Sequence, residues 1–304
     1  MSESPPTTPV CYRHPGRETY VRCTRCERPI CPDCMREASV GHQCPECVAE
    51  GRRSQRPVRT AFGGGAAGRQ GYVTKVLIGI NVAVMLLSIL SARSGESIAG
   101  GGLGGLLGGS TPLTNWGAVL GLWAPFGPFG PQDGIAAGDY YRLITAMFLH
   151  YGIVHLALNM WALWMLGRTL EATLGPLRFL ALYLVAGFGG NVAAYLFTNP
   201  MRETAGASTA IFGLFAALFV IMRRLGRDTS SVIPVLVVNL VITFAVPGIS
   251  IAGHLGGLVT GAAMALVLAY APRGRRTLFQ AGGGVLIGLV LAGLTLIQTA
   301  ALVG

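Results

Sequence analysis

A serine and a histidine in separate apolar stretches are the residues of this chain best suited to chemistry. Ser208 opens one stretch directly after Gly206 and Ala207, and His254 lies near the start of another. Ionisable groups in lipid are costly and are functional candidates by default. A histidine can take the proton of a serine hydroxyl and return it to a leaving amine, so the pair predicts acyl transfer by a Ser-His dyad.

A second pair of polar residues could stabilise the oxyanion that acyl transfer creates. His155 and Asn159 are four residues apart, so they share one face of a helix. With the backbone N–H of Ser208 at a helix N-terminus, they are the candidate oxyanion donors. Each residue alone has a simpler explanation, because serine often caps helices, and histidine and asparagine can bond one membrane helix to another. The prediction depends on all four lying together.

Apolar segments long enough to cross a bilayer must position these residues. Of the 304 residues, 52% are hydrophobic and only 12% are charged, which excludes an ordinary soluble domain. Windows of about 20 residues predict seven spans. The spans that carry His155, Ser208 and His254 enter from one side, so all three residues are expected at one shallow depth. The windows are 73–92, 152–167, 177–198, 206–222, 231–247, 250–271 and 279–302.

The residues inside these windows exclude other chemistries. No Asp or Glu lies in any window, which argues against a two-aspartate protease and a proton-coupled transporter. The chain also has no His-Glu-x-x-His motif for a catalytic zinc ion. Serine chemistry remains, and no cofactor is expected for catalysis.

Arginine placement predicts the orientation. With the N-terminus in the cytoplasm, the inner loops carry eight arginines and the outer side carries three, as the positive-inside rule requires. The formal charge of +10 therefore fits a bilayer better than nucleic acid, which we do not expect as a partner. We expect a multi-pass plasma-membrane protein with an outside C-terminus, an outward-facing active site and no cleavable signal peptide.

All seven cysteines lie in the first 47 residues. With one histidine they form four pairs of metal ligands, enough for two structural zinc ions. About 50 residues cannot bury a core adequate for folding without metal. Disulfides are the alternative, but seven cysteines cannot pair completely and a cytoplasmic segment is kept reduced. The pairs are Cys11 and His14, Cys23 and Cys26, Cys31 and Cys34, and Cys44 and Cys47.

The spacing of these pairs resembles the cross-braced B-box and RING-like zinc folds. The resemblance implies that the first and third pairs share one ion and that the second and fourth share the other. His42 is either a ninth ligand that competes with Cys44 or a surface histidine. We favour a protein-binding module over a ubiquitin-ligase-like domain, because a fold does not establish an activity.

Composition then divides the chain into three parts. A zinc-binding module at 1–50 is followed by a flexible basic linker at 51–71 and a membrane domain at 72–304. The long outer segment after the first span begins with a glycine-rich run from Gly100 to Gly109, which we expect to be mobile. Its second part resembles an interfacial element rich in aromatic residues, namely Trp116, Trp123, Phe126, Phe129, Tyr140 and Tyr141.

Four motifs in order resemble the rhomboid family of intramembrane serine proteases. Gly206-Ala-Ser208 is similar to its nucleophile segment, and His254-x2-Gly257-x3-Gly261 is similar to the span with the base. His155-x3-Asn159 resembles the pair credited with oxyanion stabilisation, with His150 in the place of an earlier histidine. Asp139-Tyr-Tyr141-Arg142 is similar to the Glu-x-Trp-Arg signature, and we expect Arg142 to brace the loop through backbone carbonyls or headgroups. Thr209, Gly253, Asp139 and Tyr141 depart from the usual residues, which are Gly, Ala, Glu and Trp.

The resemblance implies an all-α polytopic fold, with a six-helix rhomboid bundle and a seventh C-terminal span after the zinc-stabilised module. It implies an endopeptidase that cleaves transmembrane proteins near the outer leaflet of the lipid bilayer. The rival interpretation is a catalytically silent rhomboid-like protein that binds membrane clients, while its zinc module recruits a cytosolic partner. Retention of both Ser208 and His254 favours the enzyme.

Overall fold

The computed structural model describes residues 8–55, 59–65, 71–92, 109–122, 124–127 and 130–304. Most of the glycine-rich run, up to Gly108, and the side chains of Trp123, Phe126 and Phe129 lie outside the described residues. The chain divides into two compact units, Met1–Val58 and Arg59–Gly304.

The first unit is built from short elements that turn around its cysteines. Strand β1 (Val10–Cys11) pairs antiparallel with β2 (His14–Glu18), so that Cys11 and His14 lie opposite each other. A 3-10 turn at Pro32–Cys34 precedes a second antiparallel pair, β3 (Arg36–Glu37) and β4 (His42–Gln43), and helix α1 (Pro45–Ser54). Apart from Ile30, the buried apolar residues here are cysteines, so ordinary hydrophobic packing contributes little.

The second unit is helical, apart from a two-stranded pair in the loop after its first long helix. Helices lie at all seven predicted positions among the described residues, although their ends differ by up to seven residues from the windows. In chain order the elements are α2 (Tyr72–Ser91), α3 (Pro112–Gly117), β5 (Ala124–Gly127), β6 (Gly130–Gln132), α4 (Arg142–Thr145), α5 (Ile153–Leu174), α6 (Pro176–Phe197), α7 (Ser208–Arg224), α8 (Val232–Ala245), α9 (Ile251–Tyr270) and α10 (Arg276–Val303).

Length and hydropathy qualify some of these helices as membrane spans. Among the described residues, α2, α6, α9 and α10 qualify, and a fifth span results if α5 is joined to the bent segment Arg142–Phe148 before it. Helices α7 and α8 have 17 and 14 residues and are shorter than the typical crossing of about 20 residues. Helix α6 is central, with 61% of its apolar window buried, whereas α10 is peripheral with 11%.

Two parts of the predicted flexible linker at 51–71 are folded, which corrects that prediction. Helix α1 continues to Ser54, and an isolated bridge joins Arg59 to Gly65. Phe62, between the bridged residues, is buried in the core of the helical unit. The side chain of Gln280 donates to the carbonyls of Phe62 (3.3 Å) and Leu268 (2.8 Å), because burial leaves those backbone groups without water.

Arg142 braces the outer loop through backbone carbonyls, which was one of the two roles expected for it. Its guanidinium is buried and donates to the carbonyls of Asn115 (2.9 Å) and Ala118 (3.0 Å). Its Nε atom donates to Asp139 at 3.1 Å, which offsets the cost of burying the charge. The ring of Tyr141 stacks on Trp116, with 4.8 Å between the ring centroids.

The second span was predicted to end at residue 167, because charged residues follow that position, but the helix is longer. Helix α5 continues for seven residues beyond the window and ends at Leu174, so it includes a carboxylate, Glu171. Glu171 is fully buried and accepts hydrogen bonds from the backbone N–H groups of Val73 (2.9 Å) and Thr74 (2.8 Å) and from the Thr74 hydroxyl (2.8 Å). These N–H groups open α2, so Glu171 caps that helix from a neighbouring one.

Replacing Glu171 with Gln should destabilise the helical unit. The amide keeps one acceptor oxygen but brings an NH2 group towards backbone donors, so the free energy of unfolding should fall by about 1–3 kcal/mol. Thermal unfolding of the purified protein in detergent measures the change, with Thr173→Val on the exposed face of the same helix as the control. A Glu171→Gln protein that unfolds at the wild-type temperature would contradict the capping role.

Candidate active site and metal centres

Helices α7 and α9 touch through their backbones because glycines replace side chains at the crossing. A Cβ atom on Gly257 would lie 1.9 Å from the carbonyl oxygen of Thr209. One on Gly261 would lie 2.2 Å from the Cα atom of Gly213. Small residues allow this approach in membrane helices, and it places the first turns of both helices side by side.

Helix α6 supports α9 from the other side in the same way. A Cβ atom on Gly190 would lie 2.6 Å from the carbonyl oxygen of Gly253, and one on Gly189 would lie 2.2 Å from the hydroxyl of Thr260. Helix α9 is therefore held between two helices at backbone distance. Its position relative to Ser208 is fixed by steric contact.

Ser208 and His254 meet across this crossing. The Oγ atom of Ser208 lies 2.7 Å from the Nε2 atom of His254, the separation of a good hydrogen bond. The imidazole is buried and stacks on Phe212, with 4.1 Å between ring centroids and 18° between ring planes. Its other nitrogen, Nδ1, lies 2.8 Å from the hydroxyl of Thr243 on α8.

The side chain of His155 faces the same small space. Its Nδ1 atom accepts the backbone N–H of Tyr151 (3.3 Å), so the proton of the neutral ring is on Nε2. A Cβ atom on Gly206 would lie 3.0 Å from that Nε2 atom and 3.3 Å from the Oγ atom of Ser208. Gly206 has φ +146°, a conformation that side chains rarely adopt. A donor and the nucleophile thus converge on a volume that glycine keeps open.

Asn159 and the loop before α7 complete this arrangement. The Asn159 amide donates one hydrogen to the carbonyl of His155 (2.8 Å), and the amide carries a second hydrogen. The backbone N–H of Ala207 donates to the Nε2 atom of His150 (3.4 Å), which is buried beside His155. His150 therefore supports the loop that presents Ser208.

A cavity of about 650 Å³ opens at these residues. It is large enough for a peptide segment, and five helices contribute to its wall. Pro247 and Ile249, in the loop between α8 and α9, also lie along it. The polar groups on its wall include His155, Asn159, Ser208, Asn239, Thr243 and His254.

Thr209, where the resemblance to the family leads us to expect glycine, packs into the helix crossing and also lines the cavity. A Cβ atom added to Gly190 would lie 2.6 Å from the Cβ atom of Thr209. One added to Gly253 would lie 3.2 Å from the methyl group of Thr209. Glycines on α6 and α9 therefore make room for the branched side chain. Gly253 replaces the usual alanine at that point, so the two departures fit each other.

In the first unit, the eight predicted ligands form two groups. One contains Cys11, His14, Cys31 and Cys34, and the other contains Cys23, Cys26, Cys44 and Cys47, with the ligand atoms of each group within 4.8 Å of one another. The resemblance to cross-braced folds implied this grouping. His42, in β4, belongs to neither group among the described residues.

The distances between ligand atoms suit a tetrahedral ion. Zinc–sulfur bonds of about 2.3 Å put tetrahedral ligands about 3.8 Å apart. Cys26 and Cys44 have their sulfur atoms 3.8 Å apart, and the Nδ1 atom of His14 lies 3.2, 3.5 and 3.7 Å from the sulfurs of Cys31, Cys34 and Cys11. The donors therefore already have the spacing that the metal needs.

The pKa values of two thiols in the first group are shifted in opposite directions, as is expected where several thiols crowd together without a cation. Burial raises the pKa of Cys11, but N–H groups of Cys31 and Arg13 outweigh this and lower it to about 6. Burial raises the pKa of Cys34 to about 11, helped by its contact with Cys11. A bound cation would remove this conflict and hold all the thiols as thiolates.

Arg28 supplies positive charge beside the second group. Its Nε atom donates to the sulfur of Cys26 (3.3 Å), and its Nη2 atom lies 3.7 Å from the sulfur of Cys44. The guanidinium is held over the ring of Tyr12 and pairs with Glu46 at 2.6 Å. Four thiolates around one divalent ion leave an excess of negative charge, which Arg28 partly offsets.

Comparison with known proteins identifies the family. The rhomboid domain matches residues 137–271. The rhomboid homologue YdcA of Bacillus subtilis is 37% identical over 138 residues, which are 43% of this chain and 69% of YdcA. The rhomboid protease GluP of the same organism is 40% identical over 143 residues, which are 44% of this chain and 27% of GluP. The chain belongs to the rhomboid family, and it is a multi-pass membrane protein.

The family match, residues 137–271, lies within the helical unit and covers part of it. The match spans about a quarter of GluP and half of the rhomboid-like protease 2 of Toxoplasma gondii, which is 34% identical over 142 residues, 44% of this chain. The family expected from the motifs is therefore confirmed. The roles of individual residues remain predictions.

Sequence reasoning did not single out two residues at the site. Phe212 stacks on His254, and Thr243 contacts its second nitrogen. Phe212 could have been found from its spacing, since it lies one helical turn after Ser208. Thr243 lies on another helix, and nothing in its local sequence indicates the contact.

Replacing Gly257 with Ala should separate the two catalytic helices. The added methyl group would overlap the carbonyl of Thr209, and a displacement of about 1 Å can reduce catalysis by about 100-fold. The rate of labelling by a fluorophosphonate probe measures the effect. The control is Gly288→Ala on α10, where nothing lies within 4 Å and labelling should not change. Equal labelling of both variants would show that close contact is not required.

Proposed function

We propose that this chain is an intramembrane serine endopeptidase that cleaves transmembrane proteins near the outer leaflet. The observation that carries the proposal is the 2.7 Å contact between Ser208 Oγ and His254 Nε2, at the wall of a cavity open to a peptide. Several relatives in the same family are named proteases, which supports the same activity.

The geometry supports a two-stage reaction. His254 takes the proton of Ser208 as the hydroxyl attacks the scissile carbonyl, and the protonated ring then gives that proton to the leaving amine. The Ser208 backbone N–H, His155 Nε2 and the Asn159 amide are the donors for the oxyanion. Water reaching the cavity from the outer side hydrolyses the acyl-enzyme and restores the dyad.

A transmembrane helix must unwind before it can present its backbone to Ser208, because helical carbonyls are already hydrogen bonded. Substrates with helix-weakening residues near the outer leaflet are therefore the expected class. Orientation with a cytoplasmic N-terminus, an outside C-terminus and seven spans in the plasma membrane belongs to the same proposal. The arginine distribution supports it.

We also propose that the cysteine-rich module at residues 1–50 binds two structural zinc ions and that residues 72–304 form the membrane domain. The ligand spacing and thiol chemistry described above support zinc. In this scheme the metal has no part in peptide hydrolysis. Its role is to replace the hydrophobic core that the module lacks.

Ser208→Ala should abolish cleavage of a single-span reporter with helix-weakening residues, by at least about 1000-fold, because no other nucleophile is in place. His254→Ala should do the same. Probe labelling of the purified protein and release of the reporter ectodomain are the measurements. Ser91→Ala, at the end of α2, is the matched serine control and should retain activity. Cleavage by the Ser208→Ala protein would refute the proposal.

Purified full-length protein should contain two zinc ions per chain by elemental analysis. Cys11→Ser and Cys44→Ser should each lose about one ion, because they belong to different sites. His42→Ala, outside both groups, should retain both ions. A wild-type chain with no zinc, or a His42→Ala protein that loses one ion, would overturn the assignment.

A further inference from the structure

The nitrogen of His254 that faces away from the serine contacts a threonine on α8. The hydroxyl oxygen of Thr243 lies 2.8 Å from His254 Nδ1 and 2.7 Å from the backbone carbonyl oxygen of Asn239, one turn earlier in α8. Thr243 and His254 are both buried, at 2% and 7% exposure. Burial lowers the local dielectric and strengthens both contacts.

Counting hydrogens assigns the proton on the imidazole. A threonine hydroxyl has one hydrogen, and a carbonyl oxygen can only accept. Both short contacts are hydrogen bonds only if Thr243 donates to Asn239 and accepts from an N–H at His254 Nδ1. The opposite arrangement would leave two oxygens 2.7 Å apart with no hydrogen between them.

This assignment leaves a lone pair on Nε2, the nitrogen 2.7 Å from Ser208. That is the tautomer a general base needs, because only an unprotonated Nε2 can take the serine proton. In serine proteases with a third member, a carboxylate at Nδ1 fixes the tautomer, and the wrong tautomer reduces turnover by about 10⁴-fold. Here a neutral hydroxyl anchored on a helix carbonyl occupies the equivalent place.

We propose that Thr243 is the positioning residue that fixes the catalytic tautomer of His254, and that α8 must be seated on the bundle for the dyad to be competent. The inference rests on the proposed function and adds a means of regulating the same site. Of the residues in α8, only Val232 and Thr243 are buried, so the helix is loosely held. Displacement of α8 removes the acceptor at Nδ1 and frees the ring to adopt the other tautomer.

A purely structural role for Thr243 accounts for only one of its contacts. Helix threonines commonly bond to the carbonyl four residues earlier, and Thr295 on α10 does so with Leu291 at 2.9 Å. Thr295 is also buried, at 3% exposure. It has the same local bond as Thr243 without a histidine partner, so it is the matched control.

The experiment compares Thr243→Val, Thr243→Ser and Thr295→Val in the full-length protein in detergent. Thr243→Val removes the hydroxyl at nearly constant volume, and we expect kcat for reporter cleavage to fall by about 100-fold with KM within about threefold. Thr243→Ser keeps the hydroxyl and should restore kcat to within about threefold of wild type. Thr295→Val should leave both constants unchanged.

Nitrogen-15 NMR of histidine-labelled protein reads the tautomer directly, with the His254 signals assigned by their loss in His254→Ala. Wild type should show the hydrogen on Nδ1, and Thr243→Val should lose that preference while Thr243→Ser retains it. A wild-type signal from an Nε2–H tautomer would overturn the proposal even if the Thr243 variants failed to fold.

The kinetic outcomes separate the two proposals. If wild type cleaves and Thr243→Val keeps its kcat, the positioning role is wrong and the protease proposal stands. An equal loss of kcat in Thr243→Val and Thr295→Val would also overturn it, because a general packing defect would explain both. If wild type neither cleaves nor labels, the proposed function fails, and the NMR result still decides the tautomer.

Discussion

The steric contact between α7 and α9 is the constraint on which the candidate site depends. Lipid tails are as apolar as the helices, so no hydrophobic gain brings membrane helices together, and close backbone packing must do so. Gly257 and Gly261 on one helix and Gly213 on the other remove the side chains that would hold the axes apart. Only at that separation can two short side chains, a serine and a histidine, reach 2.7 Å.

The polar groups at the site are satisfied by neutral partners on the helices themselves. His155 Nδ1 accepts the N–H of Tyr151, the His155 carbonyl accepts from the Asn159 amide, and the Thr243 hydroxyl contacts His254 Nδ1. A carboxylate at this depth would have to be desolvated, which costs several kcal/mol unless it is fully paired. The chain keeps its buried carboxylate, Glu171, at the opposite end of α5, about 24 Å along the axis at 1.5 Å per residue. There, N–H groups at the start of α2 satisfy it.

How much of this could be predicted from sequence differs between elements. Helix positions followed from apolar length, because a bilayer imposes that length on any span. The end of α5 could not be predicted in this way. Arg168 and Glu171 lower the hydropathy and so end the apolar window, but the helix continues because both charged side chains have partners. Ser208 and His254 could be singled out as a candidate dyad because Gly206, Ser208 and His254 lie in recognisable local patterns. The contact between Thr243 and His254 could not be predicted. It joins two helices through one hydroxyl group, and that group already makes an ordinary hydrogen bond within its own helix. The burial of Phe62 could not be predicted either, because a single apolar residue in a polar segment gives no periodic pattern.

Helix α8 has to meet two opposed requirements. In the proposed function a transmembrane substrate passes between helices to reach Ser208, and we propose that α8, which is short and has few buried residues, is the helix displaced. The same helix carries the Thr243 hydroxyl that contacts His254 Nδ1. A dyad without a third catalytic residue on its own rigid core is therefore sensitive to the position of α8. If Thr243 fixes the tautomer as we propose, His254 loses its partner at Nδ1 while α8 is displaced and regains it when α8 returns around a bound segment. Proton transfer would then be favoured only after the substrate is enclosed.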